Sequence, residues 1–404
     1  MADTAKNGIY YGYIIVFIAF VMMVLGWGVY YCFGVFFDSL SEEFGWTRAL
    51  TSGAFSISTP VAGFFGIIAG RLTDRYGSRS IMTVCSILLG LGYILAAQVN
   101  SMWQLYLVYG LLVGVGMGGF WTPLVAVVAR WFVARRGLMT GIVVSGIGMG
   151  AVLVVLVVSR LIIAIGWRPS YIIVGGIVLI TGVVGAQFLK NAPRQVMQSS
   201  NITGKFYSDK DYTYVEALHT RQFWMTCFAY FSFGLALLSV NVHIVPHAMD
   251  LGITAVSAAG ILAATGGISI VGRILMAGLS DRIGARISLV YCYVMMSIAL
   301  FGLMFANELW QFYLFSIVFG VGYGGASALQ SIIGAELFGL GSVGAIVGSI
   351  SCSFTVGGGI GPILTGFIFD ITRNYNPAFL TSAGLTSFSI LLLLMLKPVR
   401  NTRD

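Results

Sequence analysis

Arg273 is the residue of this 404-residue sequence whose position most needs a chemical explanation. It lies in the apolar run GGISIVGRILMAGLSDRIGAR, Gly266–Arg286, eight residues before Asp281. With a helical rise of about 1.5 Å per residue, it sits roughly 12 Å inside the end that Asp281 marks. An ionised side chain at that depth in a bilayer is costly, and it usually faces a water-filled path or a charged partner. A guanidinium stays charged at any working pH, and its planar fork matches a carboxylate with two hydrogen bonds. The implied ligand is a small anion. The rival is a structural arginine that snorkels to the nearer face. Two helical turns is a long reach for that.

Few other side chains can join it. No apolar segment has an Asp or Glu near its middle; Asp38, Asp250, Glu336 and Asp370 fall at ends. His243 is the one histidine expected well inside a segment, and since free imidazole titrates near neutral pH it is the candidate proton carrier. A histidine bonded to a neighbouring helix is the competing and preferred account. Asn241 is two residues away, so the two do not share one helix face. Tyr31 and Tyr323 are the aromatic candidates for ligand contact. Tyr323 sits in GVGYGG, which matches GVGMGG around Met117. A phenol can bond a carboxylate while its ring contacts a short alkyl chain. The five cysteines lie in apolar segments and form no CxxC pair, so neither a metal nor a disulfide is expected. With no cofactor motif either, a carrier and not an enzyme is expected.

The elements that hold these residues are membrane helices. The chain is 58% hydrophobic and 9% charged, against about 25% charged in a soluble domain. Apolar runs longer than about 18 residues recur throughout. They predict twelve spans: 11–37, 49–72, 80–99, 102–129, 137–162, 169–189, 222–248, 255–279, 287–306, 309–335, 343–369 and 377–396. The start, MADTAKNGIYYGY, has no cleavage site, so the first span should be retained. The polar stretch from Lys190 to Arg221 divides the chain into a bundle over 1–190, a cytoplasmic linker over 191–220 and a bundle over 221–404. With the N-terminus inside, seventeen Lys and Arg fall in inner segments and four in outer ones, which orients both termini to the cytoplasm. The net charge of +8 therefore belongs to one membrane face, not to a nucleic-acid site.

The two groups are repeats. FGWTRALTSGAFSI at Phe44 matches LGITAVSAAGILAA at Leu251, GRLTDRYGSR with Asp74 matches AGLSDRIGAR with Asp281, and WQLYL at Trp103 matches WQFYL at Trp310. Each pair is 207 residues apart. Two parallel six-helix halves with a site between them is an all-α membrane architecture, that of the major facilitators. The loop Gly70–Arg79 resembles the signature of that superfamily, and Gly278–Arg286 resembles it more weakly. Within the pair of loops, Asp74, Arg75, Arg79, Asp281 and Arg282 are the conformational candidates, because an aspartate here can cap a helix N-terminus and pair with a neighbouring base.

A narrower resemblance covers most of the chain. Tyr11–Phe37 with its terminal GVFF, YGSR at Tyr76, RWFVARRGLMTGI at Arg130, GWR at Gly166 and VGRILMAGLSD around Arg273 are similar to the monocarboxylate transporters. VNVHIVPHAMDLGI at Val240 resembles bacterial members. The resemblance implies that Arg273 binds a substrate carboxylate. The animal proteins carry an aspartate where this chain has Ser269 and a lysine where it has Tyr31, residues that serve proton coupling there. The related oxalate–formate antiporters have a second base in the eleventh span, and Val343–Phe369 has none, so one fixed charge suits a monoanion.

The expectation is a secondary transporter of a short monocarboxylate such as lactate or pyruvate, coupled to a proton, working as a monomer in the inner (plasma) membrane with no cofactor. A carboxylate exchanger of the oxalate–formate type keeps the fold and changes the coupling. A transporter-fold receptor is a third possibility, disfavoured by the short tail Lys397–Asp404.

Overall fold

The structure, a computed structural model, describes residues 10–46, 48–132, 135–190 and 211–396. Among them, twelve helices are long and apolar enough to cross a membrane. Hydrocarbon offers no hydrogen-bond partner, so the backbone must satisfy itself within each helix. In chain order they are α1 (Tyr11–Tyr31) continued by α2 (Phe33–Phe44), α3 (Arg48–Tyr76), α4 (Ser78–Ala96), α5 (Met102–Trp131), α6 (Arg136–Ile165) and α7 (Trp167–Phe188). After the short α8 (Tyr214–Leu218) come α9 (Arg221–Asp250), α10 (Ala255–Ile283), α11 (Ala285–Leu303), α12 (Leu309–Phe338), α13 (Val343–Thr372) and α14 (Asn376–Met395).

Two interruptions go beyond the expected spans. The first span breaks at Cys32, directly after Tyr31. Within α5, Tyr106–Val113 winds as a π-helix, a rare form that is often found at functional sites. Of the expected linker, 191–210 lies outside the described residues, as do Lys6, Arg194, Lys205, Lys210, Lys397, Arg400 and Arg403. The rest of the linker is structured: Thr213 and Glu216 form a capping box at the start of α8.

Each half has its own polar pins. In the first, the Tyr30 and Ser58 hydroxyls share a 2.9 Å bond, and Tyr109 donates to the Tyr30 carbonyl. In the second, the hydroxyl pairs Ser232–Ser389, Thr265–Ser316 and Ser297–Thr386 join helices across the bundle. The halves meet along two seams, α3 on α13 and α6 on α10. Both seams are built on glycine. A Cβ on Gly344 would fall 2.5 Å from the Gly70 carbonyl oxygen, and one on Gly348 2.6 Å from that of Gly66. A Cβ on Gly141 would fall 2.6 Å from the carbonyl oxygen of Arg273. Small residues let membrane helices approach to backbone contact.

Candidate functional site

Arg273 projects from α10 into the space between the halves and is 5% exposed. Helical side chains point back toward the helix N-terminus, and this one does. Its Nη1 donates to Ser269 Oγ at 2.8 Å, one turn earlier in α10, and its Nε donates to Ser327 Oγ of α12 at 3.3 Å. The guanidinium therefore points away from the Asp281 end, opposite to the direction snorkelling requires. The facing glycines agree: Gly141 packs on the Arg273 carbonyl, while Gly148, two turns deeper along α6, faces Nη1.

The Tyr323 ring of α12 lies 5.6 Å from the guanidinium carbon, a geometry in which ring and cation attract. Tyr31 of α1 is within electrostatic range of both Arg273 and Tyr323. It sits deep between helices yet is 42% exposed, so it borders an opening between the halves. Trp27 stands beside it at 6.0 Å, with Trp121 of α5 behind at 6.2 Å. Arg273, Tyr323 and Tyr31 thus come together. Ser269 and Ser327 set the angle of the fork. No carboxylate pairs with Arg273 among the described residues. The Nη1–Nη2 edge is left for a ligand, and two parallel bonds to one carboxylate fit that edge.

Asn241 and His243 are not in this group. His243 Nε2 lies 3.0 Å from the Pro362 carbonyl of α13, so that nitrogen carries the proton and donates. Its ring is 5.4 Å from Tyr375. Asn241, two residues earlier, is exposed. His247, at the edge of the expected span 222–248, is also buried. Helix α9 runs to Asp250, which places His247 within it. His247 is 6% exposed, walled by Phe312, Tyr375 and Phe379. So His243 is not alone inside its helix.

The repeated loops meet the opposite half. Asp74 pairs with Arg130 at 2.7 Å within its own half. Its carboxylate also accepts from the backbone N–H groups of Gly344 at 3.1 Å and Ala345 at 3.0 Å, at the start of α13. Asp281 accepts from Gly137 at 2.6 Å and Leu138 at 2.9 Å, at the start of α6. Each half thus caps the other's helix, where unsatisfied N–H groups and the helix dipole favour an anion. Glu336 similarly takes the Ala285 N–H with both oxygens, at 2.9 and 3.0 Å. The other candidates stay local. Arg79 donates to Gln187 of α7, Arg75 lies 5.2 Å from the Tyr76 ring, and Arg282 is exposed.

The far face is held differently. Glu43 accepts from Arg168 at 2.7 Å and from the Trp167 indole at 2.5 Å, all within the first half. These donors hold the Glu43 carboxyl below its ordinary value. The halves are clamped at the end of Asp74 and Asp281.

Comparisons with known proteins agree with this architecture. The sequence profile of the Major Facilitator Superfamily matches residues 16–307 and 268–404. The uncharacterized MFS-type transporter YhjX of Escherichia coli is 27% identical over 82% of each chain. Monocarboxylate transporter 13 of Rattus norvegicus is 27% identical over 93% of this chain and 86% of its own. In three dimensions the chain is similar to the transporter FucP in its outward conformation, with a TM-score of 0.74 over 96% of this chain and 100% of that one, at 18% identity. A twelve-span sequence folded as two clamped halves, and matched over nearly its whole length, identifies a multi-pass membrane protein of the Major Facilitator Superfamily.

Proposed function

We propose that the protein is a secondary active transporter of short monocarboxylates of the lactate or pyruvate type, coupled to a proton and working by alternating access. The observation that carries this is Arg273: a buried guanidinium between the halves, angled by two serines, with no carboxylate paired to it among the described residues. In this reading Tyr323 and Tyr31 contact the same ligand. Relatives named monocarboxylate transporters support the class of substrate. In this reading 1–190 and 221–404 are the moving halves, and Asp74, Arg75, Arg79, Asp281 and Arg282 belong to the gate between them. The clamped face is cytoplasmic, both termini lie inside, and the membrane is the inner (plasma) membrane.

The exchanger reading has one observation in its favour. Among the described residues Arg273 has no carboxylate partner, so without substrate the site keeps a net charge that a second anion neutralises. Counterflow in proton-tight vesicles separates exchange from net symport.

The test is lactate binding to purified Arg273→Ala and Arg273→Lys. Removing a buried charge that holds a carboxylate costs roughly 2–5 kcal/mol. Affinity should therefore fall at least about tenfold in the alanine variant. Lysine keeps the charge and loses the fork, so it should recover part of that. Both variants should run as single species in detergent. Near-normal binding by the alanine variant would make Arg273 structural and remove the basis of the proposal.

A further inference from the structure

A groove between α8, α9 and α13, bordered by α3 at Ile67, is left unused by substrate transport. It encloses about 640 Å³ and is lined by Ile67 of α3, Tyr214 and Leu218 of α8, Phe231 of α9, and Ser353 and Val356 of α13. Its walls are nearly all apolar. The surrounding surface identifies what it faces. On α3, Phe64 and Ile68 are exposed, and on α13 so are Val356, Ile360, Ile363 and Phe367. Such stripes on a membrane protein face lipid tails.

The mouth of the groove is basic. Ile67, Arg71 and Arg75 follow one another at four-residue spacing, so they share one face of α3. Arg71 sits 4.2 Å above the ring of Tyr214, whose hydroxyl shares a 2.8 Å bond with Ser349 of α13. Both arginines are exposed, and no carboxylate pairs with either among the described residues. The stripe runs from an apolar trough to two cations where the headgroup layer begins.

We infer that this groove is a binding site for an anionic phospholipid, with an acyl chain in the trough between α3, α9 and α13 and the headgroup phosphate on Arg71 and Arg75. An arginine fork suits a phosphate, and basic residues at a membrane surface attract anionic lipid. Ile67 belongs to the first half and every other lining residue named here to the second half or to α8. The trough thus lies on the second half and the two arginines on the first, and one lipid reaches both only while α3 lies along α13, in the clamped state. A ligand that binds one state shifts the population toward it, so bound lipid favours the clamped face.

The experiment uses the full-length protein in detergent, with phosphatidylglycerol or phosphatidylcholine added, and counts retained lipid by native mass spectrometry. Phosphatidylglycerol should be retained in preference. Arg71→Gln should lower its retention roughly fivefold, from about 1 kcal/mol per basic residue near a membrane surface. Ser353→Phe, which fills the trough, should lower it as well. Arg71 is exposed, so its variant decides the matter if Ser353→Phe fails to fold. Glycerol phosphate, a headgroup without chains, should not displace the lipid. Equal retention of both lipids, undiminished retention by Arg71→Gln, or full displacement by glycerol phosphate would each overturn the site. None of these readouts depends on what the central cavity carries.

Discussion

Asp74 and Asp281 should hold one face of the protein closed, and the two contributions should add. Each carboxylate accepts two backbone N–H groups from the opposite half. A hydrogen bond to a charged group contributes roughly 1.5–3 kcal/mol. Asparagine keeps one acceptor oxygen and loses the other together with the charge. Asp281 is exposed at the surface, so water competes and the low end applies, about 1.5 kcal/mol. Asp74 is better shielded, with its side chain 12% exposed. Its ion pair with Arg130 lies within one half, so opening does not break it, and its cross-half loss is about 2 kcal/mol. Each variant should then shift the closed-to-open ratio about 10- to 30-fold. The two caps share no hydrogen-bond partner and sit on different seams, so the double variant should lose about 3.5 kcal/mol, roughly 300-fold. Single-molecule distance measurements between dyes on that face read this directly. An unchanged distribution in both single variants would refute the clamp. A double variant no worse than the weaker single one would refute the two independent caps.

Other outcomes follow from the same structure. His243→Ala should reduce acid-driven uptake more than exchange if this histidine carries a proton; equal loss, or none, would leave it as the donor that ties α9 to Pro362. The folded state depresses the Glu43 carboxyl below its ordinary 4.5, mainly through Arg168 and then Trp167. Its contribution is then fully present above pH 4.5 and is lost as pH falls through the lowered value. The melting temperatures of the wild type and Glu43→Gln should therefore differ at pH 7 and converge in acid; a gap that persists in acid would contradict this. A reporter fused at the C-terminus should lie in the cytoplasm, and a signal from outside would reverse the proposed orientation.

Much of the fold was legible because a bilayer imposes length and apolarity on every span, and both are written in composition. The repeat was legible because Asp74 and Asp281 must serve the same geometry in each half. Arg273 stood out for the same physical reason, a charge where charge is costly. What the sequence did not carry was partnership between distant residues. Nothing local in GWGVYYCFGVFF marks a break at Cys32, and no proline marks the π-helical turn at Tyr106–Val113. Ser327 is one serine among many until α12 packs on α10. His247 lies one residue from the end of its expected span, and the burial it owes to Phe312, Tyr375 and Phe379 comes from helices distant in sequence. Residues 214–219 of the linker read as amphipathic, but the docking of Tyr214 on Ser349 depends on a helix far away in sequence.

The seam between α6 and α10 has one more consequence. Coupling between a binding site and a remote gate is usually sought in a chain of intervening side chains. Here no such relay is needed. Going along α6, Gly137 lies against Ala277 and bonds Asp281, Gly141 lies on the Arg273 carbonyl, and Gly148 faces the Arg273 guanidinium. The charge, the backbone that carries it and the cap at the end of its helix all bear on one opposing rod, whose own side of each contact is glycine and has no rotamer to change. Whatever displaces α6 from that track is felt at the guanidinium in the same movement, as with two parts cut from one shaft.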